Sequence, residues 1–417
     1  MLQKITTYYK QHLQAFMLVG ILGGAVCGFL LPHLCIQTSL IGELFLRVLS
    51  LLVVPVIILS MLSGVLNLKG SENIARIGFK ALLYYATTTA LAVLVGLTLV
   101  NIIQPGTGTS PNRDKVLHEV IHTEDTKEPT SAFRLSDVAR NIVPKNIIQA
   151  GAEGNVLGLI FFTVFLGIAL LHVKHDGVTH VISATSALFE GVLWMIEQIL
   201  LLAPIGFFSL IGSLVGEFVL EESLVQLGID IGWYTLTVVC GLIIHGVVVL
   251  PLIASLFRIA PLPFAKAMFP ALTTAFSTAS SSATLPITLD ALEHRAGVSN
   301  KIASFVAPLG ATVNMDGTAI YEAVAVVFIA NMLGVDLSAI QQVTIFLTAT
   351  FSAIGAAGIP GAGLIMMVLV LNSVGLPADG IKLIVVVDRG LDMLRTCINV
   401  WGDSIGAALI ARTEEQR

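Results

Sequence analysis

The chain has 417 residues, of which 55% are hydrophobic and only 12% charged, and its mean hydropathy is +0.90. The charged share is about half that of a soluble protein, so a length that would otherwise hold two or three soluble domains points to one integral membrane protein. Lys and Arg total 22 against 27 Asp and Glu, without a long basic stretch, which excludes a basic nucleic-acid surface.

Helix-length apolar runs follow in chain order. Residues 14–34 form the first; Lys4 and Lys10 precede it, and without a small-residue cleavage site it reads as a retained helix rather than a signal peptide. The second, 40–68, carries Glu43 and Arg47 one turn apart, expected to pair near the membrane interface. The third, 77–103, ends at Gln104-Pro105-Gly106 and places Tyr85, Thr88 and Thr89 on one face. Alone that signal is weak, because Thr in a membrane helix usually bonds its own backbone. Residues 107–146 are the one long polar stretch, and runs at 154–172, 178–218 and 224–257 come after it. The run at 178–218 is too long for one upright span. His172, His175 and His180 fall in a short basic loop and read as solvated. Cys27, Cys35, Cys240 and Cys397 lack metal-ligand spacing and read as buried free thiols.

From residue 261 onward the apolar segments are interrupted by Gly, Pro, Ser and Thr clusters. In lipid such breaks survive only against packed protein or a cavity. Two of them look related: residues 274–286 read TAFSTASSSATLP and residues 348–360 read TATFSAIGAAGIP, identical at five of thirteen positions. Paired interrupted segments point to a transporter's binding site. Basic short segments at the N-terminus, 69–80, 172–174, 258–266 and the C-terminus alternate with neutral or acidic loops near 32–39 and 217–222. That alternation puts both termini in the cytoplasm and the long polar stretch outside.

The last 120 or so residues hold the unusual chemistry. In the final helix, Arg395, Thr396, Asn399 and Asp403 stand 3, 4, 7 and 11 residues after Asp392, and Asp388 four before it. At about 100° per residue they form one stripe on an otherwise apolar helix. A charge at the centre of a membrane helix costs about 2.5–3.5 kcal/mol, so the stripe needs partners. An internal ion-pair network would supply them. So would a polar site in which Arg395 clamps a carboxylate, Asp392 receives an ammonium, and Asn399 and Asp403 offer oxygens to a small hard cation. A second constellation, residues 310–318, reads GATVNMDGT inside an apolar helix. Gly310 and Gly317 are expected to let the helix unwind and free carbonyls, with Asn314 and Asp316 adding side-chain oxygens. Glu322 follows Thr318 by one turn, and an intramembrane carboxyl there can carry a proton.

The segments SSSATLP, NMDGTAIYEA, AAGIPGAG and DMLRTCINVWGDS, four motifs in order, resemble the dicarboxylate/amino acid:cation symporter family. That family includes bacterial and archaeal glutamate and aspartate carriers and the animal excitatory amino acid transporters. The resemblance covers nearly the whole chain and implies an all-α integral membrane protein. Its eight transmembrane helices and two re-entrant helical hairpins, in inverted repeats, would work as an elevator-type homotrimer in the lipid bilayer. Residues 1–75 would hold scaffold helices one and two, 76–106 transport-domain helix three, 107–222 the outer loop and scaffold helices four and five, and 223–417 the rest of the transport domain.

Carried over by motif, substrate would be bound by Ala279, Ser280 and Ser281 of the first hairpin and Met315 and Thr318 of helix seven. Ile359, Pro360, Gly361, Ala362 and Gly363 of the second hairpin, and Asp392, Arg395, Thr396 and Asn399 of helix eight, would complete that site. One sodium would sit on Gly310, Asn314, Asn399 and Asp403. A second would use carbonyls of Thr312, Ala353, Ile354 and Ala356, and a third Tyr85, Thr88, Thr89, Asn314 and Asp316. Glu322 matches the animal carriers' proton-accepting glutamate. Ala279 and Met393 stand where archaeal and animal carriers, respectively, have an arginine, which leaves potassium countertransport open. The resemblance thus implies sodium-coupled symport of L-glutamate or L-aspartate, with protons as a further coupling ion, no cofactor and no enzymatic activity. A C4-dicarboxylate symporter of the same family is the nearest rival, against which Asp392 argues; an anion channel is the alternative of another class. The absence of a large glycosylated loop suggests a prokaryotic plasma membrane.

Overall fold

Lipid offers no water to an exposed peptide group, so a chain this apolar must satisfy its backbone within each segment. Every regular element among the described residues is accordingly helical. The computed structural model describes residues 9, 12–66, 72–107, 143–152, 155–220, 224–356, 358 and 360–415. Five stretches are long and apolar enough to cross a membrane: Arg76–Ile103, Gly177–Leu200, Ala203–Leu220, Leu224–Leu256 and Asn300–Met332.

In chain order the helices are α1 (Leu13–Leu30), α2 (Pro32–Gln37), α3 (Ser39–Leu51), α4 (Val53–Leu66), α5 (Glu72–Ile103), α6 (Ile147–Ala152), α7 (Val156–His172), α8 (Gly177–Leu200) and α9 (Ala203–Leu220). Then come α10 (Leu224–Ile243), α11 (Leu250–Leu256), α12 (Pro261–Thr278), α13 (Ser281–Asp290), α14 (Asn300–Val313), α15 (Asp316–Met332), α16 (Ala339–Gly355), α17 (Ala362–Ser373) and α18 (Val385–Glu415). The run expected to exceed one span is indeed two helices, α8 and α9, broken at Leu201 and Leu202. Between α10 and α11 the helix widens into a π segment, Ile244–Val249, which carries His245. Glu43 and Arg47 lie together on α3 but form no ion pair there, unlike the expectation. The polar stretch falls almost wholly outside the described residues. The four cysteines are free, with Cys35 buried and the other three half-buried, so full burial holds only for Cys35.

Two kinds of packing divide the chain. α9 lies against α1, α2 and α3, and α4 against α7 and α8. Membrane helices gain little from burying apolar surface against each other, so small residues that admit close approach decide which faces meet. Gly20, Gly24 and Gly28, four residues apart on α1, stack on the backbone of α9: a Cβ at Gly24 would lie 2.5 Å from the Phe208 carbonyl, and Gly20 and Gly28 abut the Pro204 and Gly212 carbonyls. The outward face of α1 is apolar, with Leu18, Val19, Leu22, Val26 and Phe29 exposed.

The second kind centres on α15, which packs against α5, α10, α16, α17 and α18 and is buried along nearly its whole length. α14 and α12 both lie against α18. α12 folds back on α13, and α16 on α17, giving two helical hairpins. At one end of this unit Glu414 of α18 receives Arg76 at 2.5 Å and Lys80 at 2.6 Å from the start of α5.

Candidate functional site

The polar stripe of α18 faces inward, with Asp388, Asp392, Arg395, Thr396, Asn399 and Asp403 all buried. Arg395 is 0% exposed. Its Nη2 donates to Asp392 Oδ1 at 2.8 Å and to Asp388 Oδ1 at 3.1 Å, and its guanidinium carbon lies 3.8 Å from the centroid of the Tyr321 ring. The internal network considered from sequence is therefore present. It does not exhaust the guanidinium, because Nε and Nη1 are buried without a hydrogen-bond partner. Nη1 lies under the second hairpin, where a Cβ on Gly363 would be 2.8 Å away. A buried donor left unpaired costs about 1–3 kcal/mol, more when charged, so this arrangement is one that an acceptor would stabilise.

Asp392 is shared. Its Oδ2 accepts from the Gly361 amide at 3.1 Å and from Arg389 Nη1 at 3.3 Å, and Thr396 Oγ1 donates to the Asp392 carbonyl at 2.8 Å. The Gly361 contact joins α18 to the tip of the second hairpin. There Gly361 takes φ +78°, a left-handed turn that glycine adopts without a Cβ penalty. Pro360 is half-buried and Ala362 buried, and Ile359 lies outside the described residues.

The tip of the first hairpin meets the second. Ala279 closes α12 in the left-handed region at φ +49° and is buried. Ser280 caps α13 by accepting from the Ala283 amide at 3.2 Å, while its hydroxyl donates to the Gly358 carbonyl at 2.8 Å. The Ser282 amide reaches the same carbonyl at 3.1 Å, and Ser281 is buried beside it. The tips bring together the N-terminal ends of α13 and α17, where the helix dipoles favour negative charge. The matched segments do not break at matching places. α12 stops at Thr278, whereas α16 runs on to Gly355, beyond Ala353, the counterpart of Ala279 in that alignment. The shared letters therefore record composition more than register.

The expected ion ligands surround the junction between α14 and α15. The helix opens there, but at Asn314 and Met315 and not at the glycines. Gly310 and Gly317 are helical, and what they permit is close approach. A Cβ on Gly310 would lie 2.5 Å from Asp403 Oδ1 and 2.6 Å from the Tyr85 hydroxyl, and one on Gly317 would lie 2.5 Å from the Arg395 carbonyl. Asn314 Nδ2 donates to Asp403 Oδ1 at 2.9 Å, Thr88 Oγ1 to Asn314 Oδ1 at 3.3 Å, and Thr89 Oγ1 to Asp316 Oδ1 at 2.8 Å. Asn399 accepts from the Gly317 amide at 2.8 Å and points its own amide at Met315 Sδ, 3.2 Å, and Thr318 Oγ1, 3.5 Å. Tyr85 turns its hydroxyl to the Val306 carbonyl at 2.9 Å. Thr88 does bond its own backbone, at the Tyr85 carbonyl 3.1 Å away, yet it reaches Asn314 as well.

The carbonyl set Thr312, Ala353, Ile354 and Ala356 is joined only indirectly. Gly358 abuts the Ala311 carbonyl, so the last turn of α14 meets the end of α16. The Ala353 carbonyl accepts from the Ala356 amide at 3.4 Å, a weak bond at an opening turn. Glu322 is fully buried; its Oε2 accepts from Ser352 Oγ at 3.0 Å and its Oε1 has no partner. Three participants escaped the sequence reading. His245 Nε2 lies 3.0 Å from Asp316 Oδ2, both fully buried. Its signal was a lone histidine within an apolar run. Arg389 stands three residues before Asp392, about 60° from it around the helix on the side opposite Arg395, and so belongs at the edge of the stripe. Ser352 lies in the second broken segment as one small residue among several, with no spacing that marks it.

Residues 13–413 match the model of the Sodium:dicarboxylate symporter family. The chain is 37% identical to Excitatory amino acid transporter 1 of Ambystoma tigrinum, over 95% of this chain and 82% of that protein. It is 36% identical to an Excitatory amino acid transporter of Caenorhabditis elegans, over 96% and 87% respectively. To human Excitatory amino acid transporter 2 the identity is 35%, over 96% of this chain and 79% of the relative.

Proposed function

The chain belongs to the sodium:dicarboxylate symporter family, and from that membership we propose that it takes up L-glutamate or L-aspartate together with sodium and protons. The observation that carries this reading is Arg395: a fully buried guanidinium, held on one side by Asp388 and Asp392, with Nε and Nη1 unpartnered and Nη1 beneath the second hairpin. The side-chain carboxylate of an acidic amino acid would take those donors. Its ammonium would take Asp392, and its α-carboxylate the amides at the hairpin tips. A C4-dicarboxylate has no group for Asp392.

Asn314, Asp316, Asn399 and Asp403, with Tyr85, Thr88 and Thr89 behind them, present more oxygens than one amino acid needs, which supports sodium at this junction. Glu322, with one oxygen on Ser352 and the other unpaired, would carry the proton. The unit around α15 would move as the transport domain, in a plasma-membrane homotrimer with both termini cytoplasmic, while α1–α4 and α7–α9 stay with the scaffold. Several cations moving with one monoanion carry net charge inward, and each charge gains about 2.3 kcal/mol per 100 mV. The test is uptake of radiolabelled L-aspartate and L-glutamate into proteoliposomes. Sodium outside and an inside-negative potential should each accelerate it. Uptake that persists unchanged with choline for sodium, or that follows succinate and ignores both amino acids, overturns the reading.

A further inference from the structure

Arg389 is a charged side chain buried to 5% exposure in the middle of the site, and the chemistry above gives it no task. It stands three residues before Asp392 on α18 and donates Nη1 to Asp392 Oδ2 at 3.3 Å, while Nη2 has no partner. The oxygen it touches is the one that the Gly361 amide also reaches, on the side of the carboxylate that faces the second hairpin. Asp392 Oδ1 is bound otherwise, by Arg395 at 2.8 Å. One carboxylate therefore meets two guanidiniums of different grip, a short contact to Arg395 and a long one to Arg389.

Charge balance gives this difference a meaning. Asp388 and Asp392 carry two negative charges, Arg389 and Arg395 two positive ones. Among the described residues, these two arginines are the cations within ion-pairing distance of Asp392. Buried charges persist only when compensated. A substrate ammonium adds a third positive charge beside Asp392, at the oxygen where the existing contact is weakest. It replaces the contact with Arg389 more easily than the contact with Arg395. Once it leaves, the long Arg389 side chain can cover the carboxylate again without moving the helix.

We propose that Arg389 is a tethered stand-in for the substrate's ammonium: it neutralises Asp392 between loads and competes with the ammonium when substrate arrives. This deepens the acidic amino-acid reading and rests on it. Two consequences have opposite signs. Arg389 weakens substrate binding, because the ammonium must displace it. It also speeds the return of the unloaded carrier, because the site then crosses the membrane without an uncompensated carboxylate.

Arg389→Gln separates these effects from a merely structural role. In purified, reconstituted protein with sodium present, the Kd for L-aspartate should fall by about fivefold or more. Exchange of internal for external substrate should stay near the wild-type rate, since it needs no unloaded return, while net uptake drops about tenfold. Arg389→Lys, which keeps a cation on a flexible stem, should restore the ratio of net uptake to exchange. An unchanged or weaker Kd in Arg389→Gln, or exchange and net uptake falling together, would overturn the proposal. So would a failure of Arg389→Lys to restore that ratio. If Arg389→Gln does not fold, the Lys variant still decides through the same ratio, which only a cation at this position preserves. Wild-type protein that binds neither amino acid would refute the reading of the site itself, a result distinct from any outcome at residue 389.

Discussion

Glycine does opposite work in the two halves of this molecule. On α1, Gly20, Gly24 and Gly28 bring one bare backbone onto another, and what they meet are the carbonyls of Pro204, Phe208 and Gly212. Around α15, Gly310 and Gly363 make room instead for the side chains of Asp403, Tyr85 and Arg395, while Gly317 alone repeats the first kind, against the Arg395 backbone. The first arrangement is a packing seam between apolar helices. The second is a set of vacated side-chain volumes into which polar groups from α5 and α18 have moved. Damage to the seam should therefore appear as lost stability with chemistry intact, and damage to the polar interior as lost chemistry in a folded protein.

The sharpest separation should come at Arg395. Arg395→Cys removes the guanidinium from between Tyr321 and Gly363, and loss of one partner of a buried charged contact costs about 2–5 kcal/mol. The KM for L-aspartate and L-glutamate should rise by at least about 100-fold, with neutral amino acids such as serine becoming the better substrates in competition assays. Near-normal affinity for either acid would break the comparison at its strongest point. Glu322→Gln should next split two activities. Exchange should stay within about twofold of wild type while net uptake falls about tenfold and loses its dependence on pH between about pH 5.5 and 8.5. Intact pH-dependent net uptake in that variant would make Glu322 a static partner of Ser352.

Asp403→Asn keeps the shape of the side chain beside Gly310 and Asn314 but removes its charge. Half-saturation by sodium should shift upward about tenfold, read from uptake at varied sodium, while expression and thermal stability change little. A shift in stability with unaltered sodium dependence would move Asp403 from the ion site to the packing. Gly24→Leu should do the reverse. Overpacking costs about 1–3 kcal/mol, so the midpoint of thermal aggregation should drop by a few degrees, while the substrate KM of the surviving protein is unchanged.

Much of the polar interior could be read from sequence because charge in an apolar run is costly enough to be informative. The α18 stripe needed only helical periodicity, and the broken segments needed only the rule that backbone is satisfied inside lipid. What could not be read were contacts that depend on side-chain length or on distant partners. Arg389 is as close to Asp392 around the helix as Arg395 is, so which of the two grips the carboxylate more tightly rests on side-chain reach and not on periodicity. Gly310 and Gly317 suggested the place where the helix opens, but Asn314 and Met315 open it, because the glycines are committed to neighbours 70 or more residues away in the chain. Likewise Ser280 and Gly358 meet at two tips whose matching letters are out of register. The paired Glu43 and Arg47 failed for a simpler reason: spacing permits an ion pair, but solvation and side-chain entropy decide it.

The bridge from Glu414 to Arg76 and Lys80 ties the first turns of α5 to the last turn of α18. Both helices supply polar groups to the interior, but this tie is their one ionic link outside the apolar zone among the described residues, with Arg76 and Lys80 partly open to water. Ions in solution screen charges there within about 8–10 Å, whereas they reach the Arg395 cluster hardly at all. Ionic strength thus becomes a selective handle. Raising it loosens the spacing of two helix ends on one face of the membrane, and leaves the charges between those helices at full strength.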